Sequence, residues 1–318
     1  MNTKIMKTLK TPIPLWIFLT VFILSSCSIK PAINALHMLP KVSAPTPTPQ
    51  AASWQEVGVY TESHSIMTAG FLDAQHIATG GVIGEMAYSS DGAATWLKTD
   101  SAADCRYGIE IVSPEVIWTC GGATHVRKSV DGGKTWQVLA AFGNPRTIAN
   151  PCHSMSFLDE NIGWLANSDL FGSTVDGGAT WVMRDLPEQV EKIATIDTYL
   201  PGEGYLLDKN GGLYFTQDDG RHWREAGHLQ PYLIKMSPSA YQLAAMRFSD
   251  AEHGLVVVSS GNSTKAGPIM AFHTSDGGVT WASEIVPVPT GPVYLSREGN
   301  FLTVISAVNQ VTLLRYGE

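Results

Sequence analysis

Five copies of one octapeptide govern what this chain can fold into: Ser89-Ser-Asp-Gly-Ala-Ala-Thr-Trp96, Ser129-Val-Asp-Gly-Gly-Lys-Thr-Trp136, Thr174-Val-Asp-Gly-Gly-Ala-Thr-Trp181, Thr216-Gln-Asp-Asp-Gly-Arg-His-Trp223 and Thr274-Ser-Asp-Gly-Gly-Val-Thr-Trp281. The shared pattern is Ser/Thr-x-Asp-x-Gly-x-Thr-Trp, with Ala93 in place of one Gly and His222 in place of one Thr. Its chemistry is that of a hairpin corner. The aspartates Asp91, Asp131, Asp176, Asp218 and Asp276 can accept hydrogen bonds from backbone N–H groups two or three residues on. Gly takes the φ > 0 position that a Cβ resists. Thr and then Trp96, Trp136, Trp181, Trp223 or Trp281 open the next strand, where β-branched and aromatic side chains pack well on a pleated surface. Five near-identical sites point to architecture and not to catalytic or metal-bound carboxylates. Asp218-Asp219 in particular lacks the alternating oxygen ligands of a calcium loop.

The box aspartates are 40, 45, 42 and 58 residues apart. Repeats of that length, each holding several short strands, read as blades of a β-propeller. A second element precedes the first three boxes by 19 or 20 residues: Gly70-Phe-Leu-Asp73, Glu110-Ile-Val-Ser113 and Ser156-Phe-Leu-Asp159; Arg247-Phe-Ser-Asp250 lies further upstream of the fifth. The extra length there, Ser259 to Gly267, is polar and reads as a loop insertion. Each blade is thus expected to carry four strands: an inner one at the Phe/Ile position, a second after a turn, a third into the box and a fourth from the Trp. The C-terminal stretches Pro292–Leu295, Phe301–Ile305 and Val311–Leu314 supply three strands without a box. Trp54–Tyr60 supplies a strand without a blade, Trp54-Gln55 matching Trp136-Gln137. Joining the two ends makes an all-β, six-bladed propeller of four-stranded antiparallel blades, with no exposed edge between blades; seven blades is the alternative count.

Ahead of the propeller, Lys4, Lys7 and Lys10 precede an apolar run, Leu15–Leu24, too short for a bilayer span of about 20 residues. Residues 1–26 therefore read as a secretory signal. Leu24-Ser-Ser-Cys27 resembles the bacterial lipobox, which implies lipidation of Cys27 and anchoring to a bacterial membrane on its periplasmic or cell-surface side. Ser28 after the lipid cysteine is the residue sorted to the outer membrane in Gram-negative bacteria. Residues 27–52, with Ala44-Pro-Thr-Pro-Thr-Pro49, read as a Pro-rich tether, and 53–318 as the propeller. Loss of 1–26 removes three lysines and no acid, leaving the rest more negative than the −8 of the whole chain. A nucleic-acid partner does not fit that balance.

Over residues 53–317 the repeats resemble the Asp-box (bacterial neuraminidase repeat) proteins. The style Met-x-Phe-x-Asp-x-x-x-Gly-Trp at Met155–Trp164, with Met246–Leu255 alike, is most similar to the photosystem II stability/assembly factor family. The resemblance implies an exported, non-catalytic propeller that binds a protein or protein complex. That family's propeller has seven blades where six are counted here. The rival implied by the same box is a carbohydrate-binding or sialidase-like glycoside hydrolase, whose site needs three arginines clamping a carboxylate, a Tyr–Glu nucleophile pair and an acid. The Arg-Ile-Pro segment of such enzymes is missing, and no Glu pairs obviously with a Tyr.

Partners of propellers meet the face where inner strands begin. By register that face holds His64, Arg106, Tyr107, His153, Asp197, Arg247 and Tyr294, with Arg106 and His153 at similar places in consecutive blades. No metal or cofactor is expected, since the nine histidines show no ligand spacing. Beyond Cys27 stand Cys105, Cys120 and Cys152, which allow one intrachain bridge; Cys105–Cys152 and Cys105–Cys120 are both open. Asp185–Ile193 is expected to form a helical turn or two on a solvated surface.

Overall fold

The computed structural model describes residues 53–61, 65–81, 84–100, 106–122, 125–141, 152–236, 241–262, 265–288, 291–307 and 309–317. The signal segment, Cys27, the tether, His64 and Cys105 lie outside them. All described residues fall in one compact unit, 50–318.

Strand β1 (Ser53–Thr61) is followed by five blades in chain order. Blade 1 comprises β2–β5 (Ile66–Phe71, Ile77–Gly81, Glu85–Ser89, Leu97–Asp100), blade 2 β6–β9 (Arg106–Ile111, Ile117–Gly121, His125–Ser129, Gln137–Ala141) and blade 3 β10–β13 (Ser154–Phe157, Gly163–Ala166, Phe171–Thr174, Val182–Arg184). Blade 4 comprises β14–β17 (Ile193–Leu200, Glu203–Asp208, Gly212–Thr216, Arg224–His228), followed by helix α1 (Gln230–Met236). Blade 5 is β18–β21 (Tyr241–Phe248, Gly254–Asn262, Lys265–Thr274, Ala282–Val286). The last three strands, β22–β24 (Val293–Leu295, Phe301–Ala307, Gln310–Gly317), pair in the order β1-β24-β23-β22. Every sheet has four strands, and the sixth is completed by β1, whose Ser53 and Trp54 stand opposite Gly317 and Tyr316. The six-bladed, N-terminally closed propeller expected from the repeats is the observed fold.

Six buried clusters, one at every seam between neighbouring blades, make up the core. Blades 6 and 1 meet through Phe301, Val311 and Leu313 against Ile66, Phe71 and Ile77, which closes the ring. Box tryptophans insert at these seams: Trp181 packs with Trp118 and Phe157 between blades 2 and 3, and Trp223 with Trp164 and Phe171 between blades 3 and 4. Blade 6 has no box, and Trp54, 3% exposed, fills its seam with blade 5.

Each box closes by the same set of bonds. In the second, Ser129 Oγ donates to Asp131 Oδ1 (2.8 Å) and accepts from Gly133 N–H (2.8 Å), while Asp131 accepts from Thr135 N–H (2.9 Å) and Thr135 Oγ1 (2.6 Å). The aspartate therefore reaches four residues on, not two or three, because two consecutive residues adopt positive φ: Gly132 (69°) and Gly133 (79°). Ala93 (69°) and Asp219 (62°) hold this conformation without being glycine. Asp219 does so because its carboxylate accepts from Trp164 Nε1 (2.9 Å) and Ser173 Oγ (2.6 Å) of the preceding blade. His222 substitutes for Thr through Nδ1, 2.6 Å from Asp218 Oδ2.

Three details depart from the sequence reading. The 259–267 insertion is not a loop: β19 and β20 pair out to Asn262 and Lys265, extending the hairpin. Residues 185–193 contain only a turn, closed by Val190 N–H on Pro187 O. The helix comes instead at 230–236, where Leu229 and Leu233, one turn apart, are both fully buried beside blades 4 and 5. The disulfide is Cys120–Cys152, a pairing not weighed above. Cys120 follows Thr119 near the end of β7, Cys152 lies just ahead of β10, and both belong to the core of the blade 2–blade 3 seam.

Candidate functional site

The innermost strands β2, β6, β10, β14, β18 and β22 surround the axis, and each has one edge with no strand beside it. One ladder position recurs in all six, opposite Ala78, Trp118, Trp164, Tyr205, Leu255 and Leu302. It is occupied by Gly70, Glu110, Ser156, Asp197, Arg247 and Leu295. Three of these satisfy the free edge of the next blade. Glu110 Oε1 accepts from Phe157 N–H (3.2 Å), Ser156 Oγ from Thr198 N–H (3.0 Å) and Asp197 Oδ2 from Phe248 N–H (2.6 Å). Arg247 reverses the polarity, its Nε donating to the Ser296 carbonyl of blade 6 (3.2 Å). Gly70 carries no side chain because a Cβ there would stand 2.9 Å from the Ile109 carbonyl oxygen.

Arg247 also spans this ring. Its Nη1 lies 3.2 Å from Asp197 Oδ1 and its Nη2 3.6 Å from Glu110 Oε1. Asp197 is 2% exposed and Glu110 5%. Burial raises both carboxyls, Glu110 to about 7 and Asp197 to about 6, against the pull of the Arg247 charge. Asp197 has a further donor in Ser156 Oγ (2.9 Å), whereas Glu110 Oε2 is buried without a partner.

This ion cluster divides the axis. On the side where inner strands begin lies a recess of about 70 Å³ lined by Gly108, His153, Thr195, Arg247 and Tyr294 among others, room for two or three waters. On the side where inner strands end, which also carries the boxes, the recess is about 440 Å³ and is lined by Ser156, Asp197, Tyr199, Phe248 and Arg297 among others. Of the residues expected on one face, His153, Arg247 and Tyr294 come together on the narrow side and Asp197 faces the wide one. Tyr294 donates to the Met67 carbonyl (2.9 Å), tying blade 6 to blade 1, and burial pushes its phenol up to about 12. Arg106 and Tyr107 lie on β6, with only their backbone described; His64 lies outside the described residues.

Two participants were not singled out from sequence, Glu110 and Arg297. The signal for Glu110 was its place one residue before the Phe/Ile of the inner-strand element. A Tyr–Glu pair, not apparent in the sequence, does exist: Tyr199 Oη donates to Glu203 Oε2 (3.1 Å). Burial and that carboxylate both push the phenol up, away from a phenolate nucleophile. Among the described residues no three His, Cys, Asp or Glu side chains gather at metal-holding distance, and no helix is long and apolar enough to cross a membrane.

No family model matches the chain. The photosystem II assembly lipoprotein Ycf48 of Synechococcus sp. (strain CC9902) is 27% identical over 184 residues, covering 56% of this chain and 49% of that protein. The match thus spans about half the length of the relative. The solved structure of YCF48 bound to a D1 peptide aligns with a TM-score of 0.51 at 14% identity, over 83% of this chain and 97% of that one. A gluconolactonase from Xanthomonas campestris aligns at 0.57 and 12% identity, over 84% and 90%. At these identities the structural likeness is one of fold, and the same architecture serves binding proteins and enzymes alike. The chain is a six-bladed β-propeller that resembles the photosystem II stability/assembly factor family.

Proposed function

We propose that this is an exported lipoprotein whose signal peptide (1–26) is removed, whose Cys27 is lipidated, whose residues 27–52 form a tether, and whose Asp-box propeller (53–318) binds a protein or protein complex outside the cytoplasm as an assembly or stability factor. The observation that carries the non-catalytic part is the engagement of the axial charges. Arg247 is held between Glu110 and Asp197, and both acids are bonded to the next blade. The guanidinium is therefore not free to clamp a sugar acid. The likeness to Ycf48, and to a YCF48 seen with a D1 peptide, supports a protein partner.

The candidate contact residues remain His64, Arg106, Tyr107, His153, Asp197, Arg247 and Tyr294, with Asp197 opening to the opposite side of the axis from His153 and Tyr294. Crosslinking and mass spectrometry on the membrane-bound protein test the reading: a defined protein partner is expected, captured less by Arg106→Ala, and Cys27→Ala should release the chain from the membrane. The second reading, a sialidase-like hydrolase, is favoured only by the Tyr199–Glu203 contact. Turnover of a fluorogenic sialoside that disappears in Tyr199→Phe would establish it.

A further inference from the structure

In blades 1 to 5 the box folds down onto the neighbouring blade. A Cβ on Gly278 would lie 2.3 Å from Leu213 Cδ2, one on Gly220 2.5 Å from Phe171 Cε1, and one on Gly178 2.7 Å from Trp118 Cη2. Among the described residues blade 6 has nothing comparable. Arg315 stands opposite Phe301 where Thr274, the first residue of a box, stands opposite Gly254 in blade 5. Two residues later β24 ends at Gly317, beside Ser53. Among the described residues none takes the place of the sixth box, and the seam between blades 5 and 6 stays open as a cleft of about 510 Å³. That is the size of a small-ligand or short-peptide site.

The cleft runs outward from Arg247 and is walled by His253, Leu255, His273, Arg297, Glu298 and Tyr316. The His273 and Tyr316 rings lie 5.2 Å apart, tilted by 31°, giving an aromatic wall. Most of its charge is committed: Arg247 to the axial acids, His273 to Glu284 (2.9 Å), His253 to Asp250 (3.0 Å) and Glu298 to Asn300 Nδ2 (3.2 Å). Arg297 alone among the cationic groups of this wall has no hydrogen bond or ion pair within the described residues, although the buried Glu110 feels its charge.

We infer that this open seam is a binding cleft for an extended peptide segment, with Arg297 receiving a carboxylate and the His273–Tyr316 wall receiving the flat peptide backbone. The inference deepens the protein-binding reading and rests on it. A guanidinium pairs with a carboxylate through two parallel N–H···O bonds. One uncommitted cation flanked by Glu298 suits a single negative charge; a phosphate backbone would bring repeated charge against the box carboxylates on the same face.

The test uses the full chain in its native host, with a photo-crosslinking amino acid placed at Tyr316 in the cleft or at Val138 on the outer strand of blade 2. Protein adducts are expected from Tyr316, falling about tenfold or more in Arg297→Ala and partly restored in Arg297→Lys. In vitro, tetra-alanine with a free C-terminal carboxylate should shift the Gly299 and Tyr316 amide signals, and its C-terminal amide should not. Adducts from Val138 but not Tyr316, Tyr316 adducts indifferent to Arg297→Ala, or equal shifts from both peptides would overturn the cleft and leave the binding role standing. Adducts from neither position would remove both, and nucleic-acid adducts at Tyr316 would overturn the choice of partner.

Discussion

Replacing Arg247 by Leu removes the one cation between two buried acids, and its cost follows from what each acid keeps. Asp197 retains two donors, Ser156 Oγ and Phe248 N–H. Glu110 retains only Phe157 N–H, with Oε2 already unpartnered. Breaking a buried pair by removing one partner costs about 3–5 kcal/mol, which in a domain of this size lowers Tm by about 5–10 °C. The loss should depend on pH with a defined sign. Both carboxyls are raised above their unfolded values, so the folded state takes up protons and this part of the stability is lost as pH rises, through about 6 for Asp197 and about 7 for Glu110. Without Arg247 burial acts unopposed and the uptake is stronger. Urea denaturation followed by tryptophan fluorescence should therefore show the full loss near pH 8. Near pH 5, where both acids are neutral, about 1–2 kcal/mol should remain, the worth of the Arg247 bonds to Ser296 O and Met246 O. Adding Glu110→Gln should recover about 2 kcal/mol at the higher pH. A loss that is equal at both pH values, or below about 1 kcal/mol at pH 8, would refute the assignment of this cluster as a buried ion pair.

Ala93→Gly should stabilise the propeller by about 1 kcal/mol in the same assay, since Ala93 alone pays for a left-handed backbone without a side-chain bond in return. Asp219→Gly, at the position of the fourth box that matches Gly92 in the first, should destabilise by about 1–3 kcal/mol, because Trp164 Nε1 and Ser173 Oγ lose their acceptor. Reducing Cys120–Cys152, which closes 32 residues, should cost about 3–4 kcal/mol; coincident unfolding curves with and without reductant would contradict this. Asp131, held at about 2 by Thr135, should titrate closer to 3.8 in Thr135→Val when followed by NMR. Its folded value is depressed, so the stability it lends is present above 3.8 and fades as pH falls towards 2.

The architecture was legible because its instructions are local. Each box encodes its own corner, and the Trp54 strand, orphaned at one end, matched three boxless strands at the other. The site was harder to read because it is assembled from single positions in six distant strands. Glu110 sits among apolar residues in Glu-Ile-Val-Ser, and nothing nearby says that it bonds Phe157 forty-seven positions later. Asp197 and Arg247 were visible as charges in apolar strands, but their union depends on the ladder register placing both at one height. The Cys120–Cys152 bridge escaped for a related reason: it joins the second strand of one blade to the approach to the next blade's first strand, a diagonal that repeat alignment does not display. Helix α1 was hidden by length, since seven residues opening with Gln230-Pro231 give little periodicity; Leu229 and Leu233 were its only mark.

The antiparallel join of β1 to β24 determines how the molecule responds to force. Tension applied at the N-terminal end of β1 bears first on the Ser53–Gly317 rung and then on each successive rung, so the strand peels and is not sheared. Peeling draws Trp54 out of its seam early, while five blades that share no rung with β1 keep their ladders. Under load the ring should yield at one clasp and re-latch when slack returns.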